Sequence, residues 1–144
     1  MSYLKILTTT LLVIILDQAS KFFFLKNPDF YRTGGFFELY LTYNEGVAFG
    51  ITPPTWLIYI LISTILIFGG LYAYKNFNWQ SKLARFSTAL ILAGAAGNLI
   101  DRIRLGQVID FIKVGPWPMF NVADSAIVAG VLVIILWQRR IIGS

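Results

Sequence analysis

The chain contains no cysteine and no histidine among its 144 residues. The first absence excludes disulfides, thiol nucleophiles and thiolate metal sites. The second excludes an imidazole base, a Ser-His triad and a histidine-ligated zinc. Charge is also scarce, because Asp, Glu, Lys and Arg make up only 13% of the residues, about half the usual share of a soluble domain. Proton chemistry therefore falls first to carboxylates. What the chain has in abundance is apolar: 57% of the residues are hydrophobic. A soluble domain this short cannot hide that much without large sticky patches. The expected solvent is a bilayer, and the expected organisation is a single integral-membrane domain over residues 1–144.

A membrane-spanning helix needs about 20 mostly apolar residues. Four segments meet or approach this, at about 4–25, 56–74, 86–104 and 120–138. The first is interrupted by Asp17, Gln18 and Lys21, and the second carries no charge. The third holds its polar groups at its end, and the fourth has Asn121 and Asp124 near its start. The expected fold class is mainly α: four transmembrane helices with a small β-sheet region on the outer side. A signal-peptide reading of the N-terminus, with Lys5 before the apolar run Ile6 to Leu16, is set aside. No small-x-small cleavage site precedes Asp17-Gln18-Ala19-Ser20-Lys21.

With four spans both termini share one side, together with the connector from Lys75 to Arg85. That side holds six basic residues and no acidic ones, and the other side holds six basic residues and all seven carboxylates. Because the positive-inside rule counts Lys and Arg, the raw numbers tie. Pairing breaks the tie: Lys21 lies one turn from Asp17, and Arg102 adjoins Asp101. If both are neutralised locally, the termini are cytoplasmic. The outer side then carries two long connections. In the first, Phe37, Leu39, Leu41 and Tyr43 alternate with Glu38, Tyr40, Thr42 and Asn44, which predicts a strand with one apolar face inside a region at about 35–50. Asn44-Glu45-Gly46 signals a turn, and Pro53-Pro54 stops regular structure. The second connection, Leu105 to Met119, contains Gly106, Gly115-Pro116 and Pro118.

Charges at the centre of a bilayer cost roughly 2.5–3.5 kcal/mol each on insertion scales. Asp17, Asp101 and Asp124 nevertheless fall within or at the ends of spans, toward one face, and Asp110 follows in the apolar stretch Val108-Ile109-Asp110-Phe111-Ile112. Gathered at one level, such acids point to a site. Each also has a plainer reading. Asp17 and Lys21 at i and i+4 can be a structural pair. Asn98, Asp101 and Arg102 share a face, and Asp101–Arg102 can simply tether a helix end. Asp110 can be a loop acid, and Asp124 can be a helix cap. Ala93-Gly94-Ala95-Ala96-Gly97 predicts close helix packing just before Asn98.

The ordered motifs carry a resemblance. They are Asp17-Gln18-Ala19-Ser20-Lys21, Thr42-Tyr43-Asn44-Glu45-Gly46-Val47-Ala48-Phe49-Gly50, and Gly94-Ala95-Ala96-Gly97-Asn98-Leu99-Ile100-Asp101-Arg102. Gly106-Gln107-Val108-Ile109-Asp110-Phe111-Ile112 and Phe120-Asn121-Val122-Ala123-Asp124-Ser125-Ala126 follow. Together, from about residue 17 to 130, they resemble the bacterial lipoprotein signal peptidases, also called signal peptidase II. The resemblance implies an aspartic endopeptidase of the bacterial cytoplasmic (inner) membrane, multi-pass, with its active site toward the outer face. The implied substrate is a diacylglyceryl-modified prolipoprotein, cut just before the lipidated Cys. Asp110 and Asp124 match the catalytic dyad, with Asp101 the main competitor for the first place. Asn44, Gly94, Asn98, Arg102 and Asn121 match positions that line or support the site, and Asp17 and Lys21 match a polar pair in the first span. The 13 residues between Asp110 and Asp124 are few for the family, so the loop between them is expected to be trimmed.

Such a mechanism needs no metal and no cofactor. The implied partners are the prolipoprotein and membrane lipids. Nucleic acid is not one, because the scattered basic residues at span ends suit lipid headgroups. A monomer is the simplest arrangement. Two other classes stay open on the residues alone. One is a small proton- or ion-coupled transporter with buried carboxylates, against which no internal symmetry is visible. The other is a non-catalytic adaptor whose polar groups only lock helices together.

Overall fold

In the apolar runs a helix satisfies every backbone N–H and C=O within one segment, the arrangement a bilayer imposes. A computed structural model describes residues 2–46 and 54–142 of the chain. Within them the order is α1 (Ser2–Lys26), β1 (Tyr31–Thr33), β2 (Phe37–Asn44), α2 (Thr55–Asn76), α3 (Lys82–Leu105), β3 (Val108–Val114), α4 (Val122–Leu136) and the short α5 (Gln138–Ile141). The protein is mainly helical with one three-stranded antiparallel sheet of order β1-β2-β3. Leu4–Lys26 and Lys82–Leu105 are long and apolar enough to cross a membrane by length and composition, while Val122–Leu136 is a shorter apolar helix. Val47 to Gly50 of the second motif, and Pro53, lie outside the described residues. Pro54 stands at the N-cap of α2.

The helices are apolar outside and polar inside. Leu12, Ile15 and Leu16 of α1, Ile65 and Phe68 of α2, and Ile135 and Leu136 of α4 are exposed. Asp17, Lys21, Asn98, Asp101, Asp110 and Asn121 are buried. In water this distribution would be inverted. α1 and α3 run parallel: Thr10 Oγ1 donates to Ala89 O (3.3 Å) and Gln18 Nε2 to Gly97 O (3.2 Å), the same sequence offset at both levels. α4 runs antiparallel to α3, with Gly94 against Ala123 and Ile127 and Gly130 against Ile91 and Ser87.

The small-residue run is the closest contact. A methyl added at Gly94 would collide with the Ala123 carbonyl and stand 2.6 Å from Ile127 Cγ1. Gly94→Ala is therefore expected to force α3 and α4 apart, at about 1–3 kcal/mol for an overpacked contact. Thermal unfolding in detergent should show a clearly lower midpoint. Gly69→Ala in α2, where a methyl meets nothing within 4 Å, should be neutral or mildly stabilising. Equal midpoints for the two variants would contradict the packing argument.

The sheet differs from expectation in two ways. β2 forms as predicted, but its register against β3 shifts between Leu39 and Thr42. Such a bulge breaks the strict alternation. Leu39 and Leu41 pack on the Phe24, Ile109 and Phe111 cluster, whereas Phe37 and Tyr43 are exposed. β3 lies inside the second connection, Leu105 to Met119, where the sequence predicts no strand. It is a strand whose first four residues are all buried, so it shows no period-2 signal. Phe24 of α1 stacks on Phe111 of β3, centroids 4.4 Å apart, and holds the sheet against the end of α1.

The helix ends also move. Ser81 caps α3, its side chain accepting from Ala84 N–H, which draws Lys82 and Arg85 out of the expected connector into the helix. Gly106 ends α3 in the left-handed region at φ 75°, donating its N–H to Arg102 O (3.0 Å). α4 starts after Asn121 rather than at 120 and stops at Leu136, where Trp137 leaves helical geometry.

Candidate active site

The carboxylates converge from three directions. α1 brings Asp17 and Lys21, α3 brings Asn98 and Asp101, and β3 and the start of α4 bring Asp110, Asn121 and Asp124. The chain between the last two acids turns as the glycine and prolines require. Phe120 N–H donates to Ile112 O (3.0 Å) and Ile112 N–H to Phe120 O (2.9 Å), folding the α4 entry back onto β3.

Two layers can be distinguished. In the first, Lys21 Nζ lies 2.8 Å from both Asp17 Oδ2 and Asp101 Oδ2. Gln18 Nε2 donates to Asp17 Oδ2 (3.1 Å) and Asp101 Oδ1 (3.0 Å), Ala123 N–H to Asp17 Oδ1 (2.8 Å), and Ile109 N–H to Asp101 Oδ2 (3.2 Å). Two buried anions thus share one cation, and backbone and amide donors supply the remaining compensation. In the second layer, Asp110 accepts from Asn44 Nδ2 (2.9 Å) and Asn121 Nδ2 (2.7 Å). Asp124 accepts from Asn98 Nδ2 (2.7 Å) and the Asn121 N–H (3.3 Å).

Asn98 joins the layers. Its Oδ1 accepts from Lys21 Nζ (3.1 Å) and from Asn121 Nδ2 (3.1 Å). Both neighbours can only donate there, so the oxygen must face them and the Nδ2 must face Asp124. Asn121 sits between the acids, reaching Asp110 with its amide and Asp124 with its backbone. It also accepts from Asp124 N–H (2.8 Å), which completes a capping box at the start of α4. The plain reading of Asp124 as a cap is therefore real, and it occupies one oxygen only in part.

Burial pushes the Asp110 carboxyl up to about 6. The negative charge of Asp124 adds to this, while the amide donors of Asn44 and Asn121 and the charge of Lys21 oppose it. A carboxyl so placed gains or loses its proton with little cost near neutral pH, which suits acid–base work.

Asp17 and Lys21 pair as expected. The pairing of Asp101 with Arg102 does not occur. Neighbouring helix residues point about 100° apart and do not face each other, so Asp101 turns to Lys21. Arg102 Nη2 instead donates to Gly46 O (3.1 Å), and the turn signal at Asn44 gains a function, since Asn44 Oδ1 accepts from Gly46 N–H (3.1 Å). Gly94 faces α4, where an added methyl would meet Ala123 and Ile127. Gln18 and Gly97 were legible only as a polar interruption and as part of the close-packing run, and nothing in the sequence singles out Tyr59. Gln18 bridges two acids, Tyr59 donates its hydroxyl to Arg102 O (3.1 Å), and a methyl at Gly97 would stand 2.6 Å from Asp17 Oδ2. The signal available for Gln18 was its polarity inside an apolar span.

Fold and site together describe a membrane protein whose polar interior is built on carboxylates from converging elements. The family model described as signal peptidase (SPase) II matches residues 9–139. The chain is 48% identical over 137 residues to the lipoprotein signal peptidase of Syntrophomonas wolfei, covering 88% of this chain and 87% of that one. It is 40% identical over 136 residues to that of Moorella thermoacetica, covering 92% and 90%. A bacterial membrane enzyme solved by the in meso method at 2.3 Å superposes with a TM-score of 0.83 at 28% identity, over 94% of this chain and 88% of that one. The chain belongs to the signal peptidase II family, and it is a peptidase of the aspartic type. The transporter alternative has no support in these relatives.

Proposed function

We propose that this chain removes the signal peptide from diacylglyceryl-modified prolipoproteins, cutting just before the lipidated Cys, with Asp110 and Asp124 as the catalytic pair. The observation that carries the pair is their shared amide bridge: Asn121 donates to Asp110 at 2.7 Å and, through its backbone N–H, to Asp124 at 3.3 Å. Asp101 is the weaker candidate, because its oxygens are taken up by Lys21, Gln18 and the Ile109 N–H. Asn44, Asn98 and Asn121 aim the dyad, Gly94 sets the helix spacing, and Arg102 ties the Asn44 turn to α3. Asp17 and Lys21 hold the polar base together.

Two carboxyls in one site cannot both ionise easily, so the pair keeps about one proton and titrates as a unit. The ionised Asp takes a proton from water as that water attacks the scissile carbonyl. The protonated Asp donates to the carbonyl oxygen, and a proton later passes to the leaving amine. No covalent intermediate forms. Each carboxylate oxygen has two lone pairs, so the amide donors leave acceptor capacity for the water.

The chain crosses the inner membrane four times as a monomer, with both termini cytoplasmic and the sheet and dyad toward the outer face. Parallel α1 and α3 support this, since two parallel spans need a return crossing between them, which α2 provides. Purified protein incubated with a diacylglyceryl precursor should release one signal peptide, cut at a single bond before the lipidated Cys. Ion flux in liposomes with no cleavage would overturn the proposal.

A further inference from the structure

The carboxylate site occupies one end of α1 and α3; the other end of the same two helices carries charge of the opposite sign. Lys5 of α1 and Lys82 and Arg85 of α3 line one cavity of about 380 Å³, with Thr9, Leu83 and Phe86 completing its wall. Lys5 precedes Asp17 by 12 residues, which is about 18 Å along a helix, so this cavity is separate from the dyad. Its volume falls within the roughly 300–1,000 Å³ of small-ligand sites.

Among the described residues no carboxylate is paired with the three cations there: the ion pairs involve Lys21, and none reaches Lys5, Lys82 or Arg85. Neither α1 nor α3 has an acid in its first turn, and the helix dipole disfavours cations at that end. Arg85 Nη1 donates to Gln80 O (2.9 Å) and to Trp79 O, which fixes the guanidinium at the rim while its other nitrogens stay available. The wall is mixed. Beside the cations stand exposed apolar side chains: Phe86 within the cavity wall, and Leu4 next to Lys5. A soluble anion would use the cations alone, whereas an acyl-bearing anion uses both.

We propose that this cavity binds the phosphodiester headgroup of an anionic phospholipid, with Lys5, Lys82 and Arg85 on the phosphate and the acyl chain against Phe86. The proposal rests on the membrane reading of the helices but not on the peptidase chemistry. Its test reads lipid retention and not cleavage.

Full-length protein in detergent is titrated with phosphatidylglycerol or phosphatidylcholine, and retained lipid is read by native mass spectrometry. The wild type should hold one phosphatidylglycerol in preference to phosphatidylcholine. Lys5→Gln/Lys82→Gln should weaken that binding roughly 25-fold, each basic group at a membrane surface being worth about fivefold. Arg139→Gln/Arg140→Gln removes two exposed cations outside the cavity and should leave the binding unchanged. Equal loss in both double variants would mean diffuse charge attraction and would overturn the site. So would equal retention of phosphatidylcholine, or undiminished binding by Lys5→Gln/Lys82→Gln. Displacement of the lipid by millimolar inorganic phosphate would overturn the lipid as occupant. Should the double variant not fold, Lys5→Gln alone, at an exposed side chain, should give the fivefold effect, and none would count against the proposal.

Discussion

Asp110→Asn and Asp124→Asn are each expected to lower cleavage of a diacylglyceryl precursor by about 10²–10⁴-fold, the range for losing one partner in general acid–base catalysis. Stability should separate these variants from a change at Asp101. The carboxyl of Asp110 is held up at about 6 by burial. A raised acid binds its proton more tightly folded than unfolded. The stability this contributes is present below the ordinary carboxylate value, and it is lost as pH rises through about 6. At pH 7.5 the wild type has lost it, and Asn carries no charge to bury. Asp110→Asn should therefore unfold at no lower temperature than the wild type at that pH, and the wild type should gain on the variant as pH falls toward 5. Asp101→Asn removes an ion-pair partner of Lys21 at 2.8 Å, so it should lower the midpoint at every pH between these. Normal turnover by either dyad variant would sink the assignment. Full stability with no turnover in Asp101→Asn would move the catalytic role there.

Much of this site could be read from the chain because its logic is local. An acid inside an apolar run is conspicuous, and Asp17, Asp101, Asp110 and Asp124, which the fold joins in one hydrogen-bonded network, all stand out that way. Gly94 was legible for the same reason: small residues in a row have few uses in a helix other than close approach, and Ala123 does stand against it. What stayed hidden depends on partners far along the chain. Lys21 is shared between Asp17 and an acid 80 residues later, Asp101. Sequence offered Arg102 as the nearer partner, and helix geometry forbids it. β3 was invisible because burial on both faces removes the alternation that marks a strand. The bulge in β2 was invisible because it belongs to the register between two strands. Lys21 does pair with Asp17, one turn away, as the i, i+4 spacing predicts. Arg102 donates to the Gly46 carbonyl and is not neutralised by Asp101.

Lys21→Met is expected to be the most destabilising single substitution at this site. The buried ammonium lies 2.8 Å from two carboxylates and 3.1 Å from Asn98 Oδ1. Removing one partner of a buried ionic cluster leaves uncompensated charge, at a cost of about 3–5 kcal/mol. Here two anions are left facing each other, so the upper part of that range is expected, as a large fall in the unfolding midpoint at pH 7.5. Asp17→Asn/Lys21→Met/Asp101→Asn should recover much of the midpoint at pH 7.5, because neutralising a whole buried cluster costs far less than orphaning part of it. Activity should not recover with it. Lys21 is one of two donors that oblige the Asn98 oxygen to turn away from Asp124, and without it the amide can flip and offer Asp124 an oxygen in place of an N–H. If Asp101→Asn alone still cleaves, a triple variant that folds well and cleaves poorly would show Lys21 acting as a positioning residue through Asn98. A single Lys21→Met variant as stable as the wild type would mean that the acids are already neutral in the folded protein, and the ionic account of the polar base would have to be abandoned.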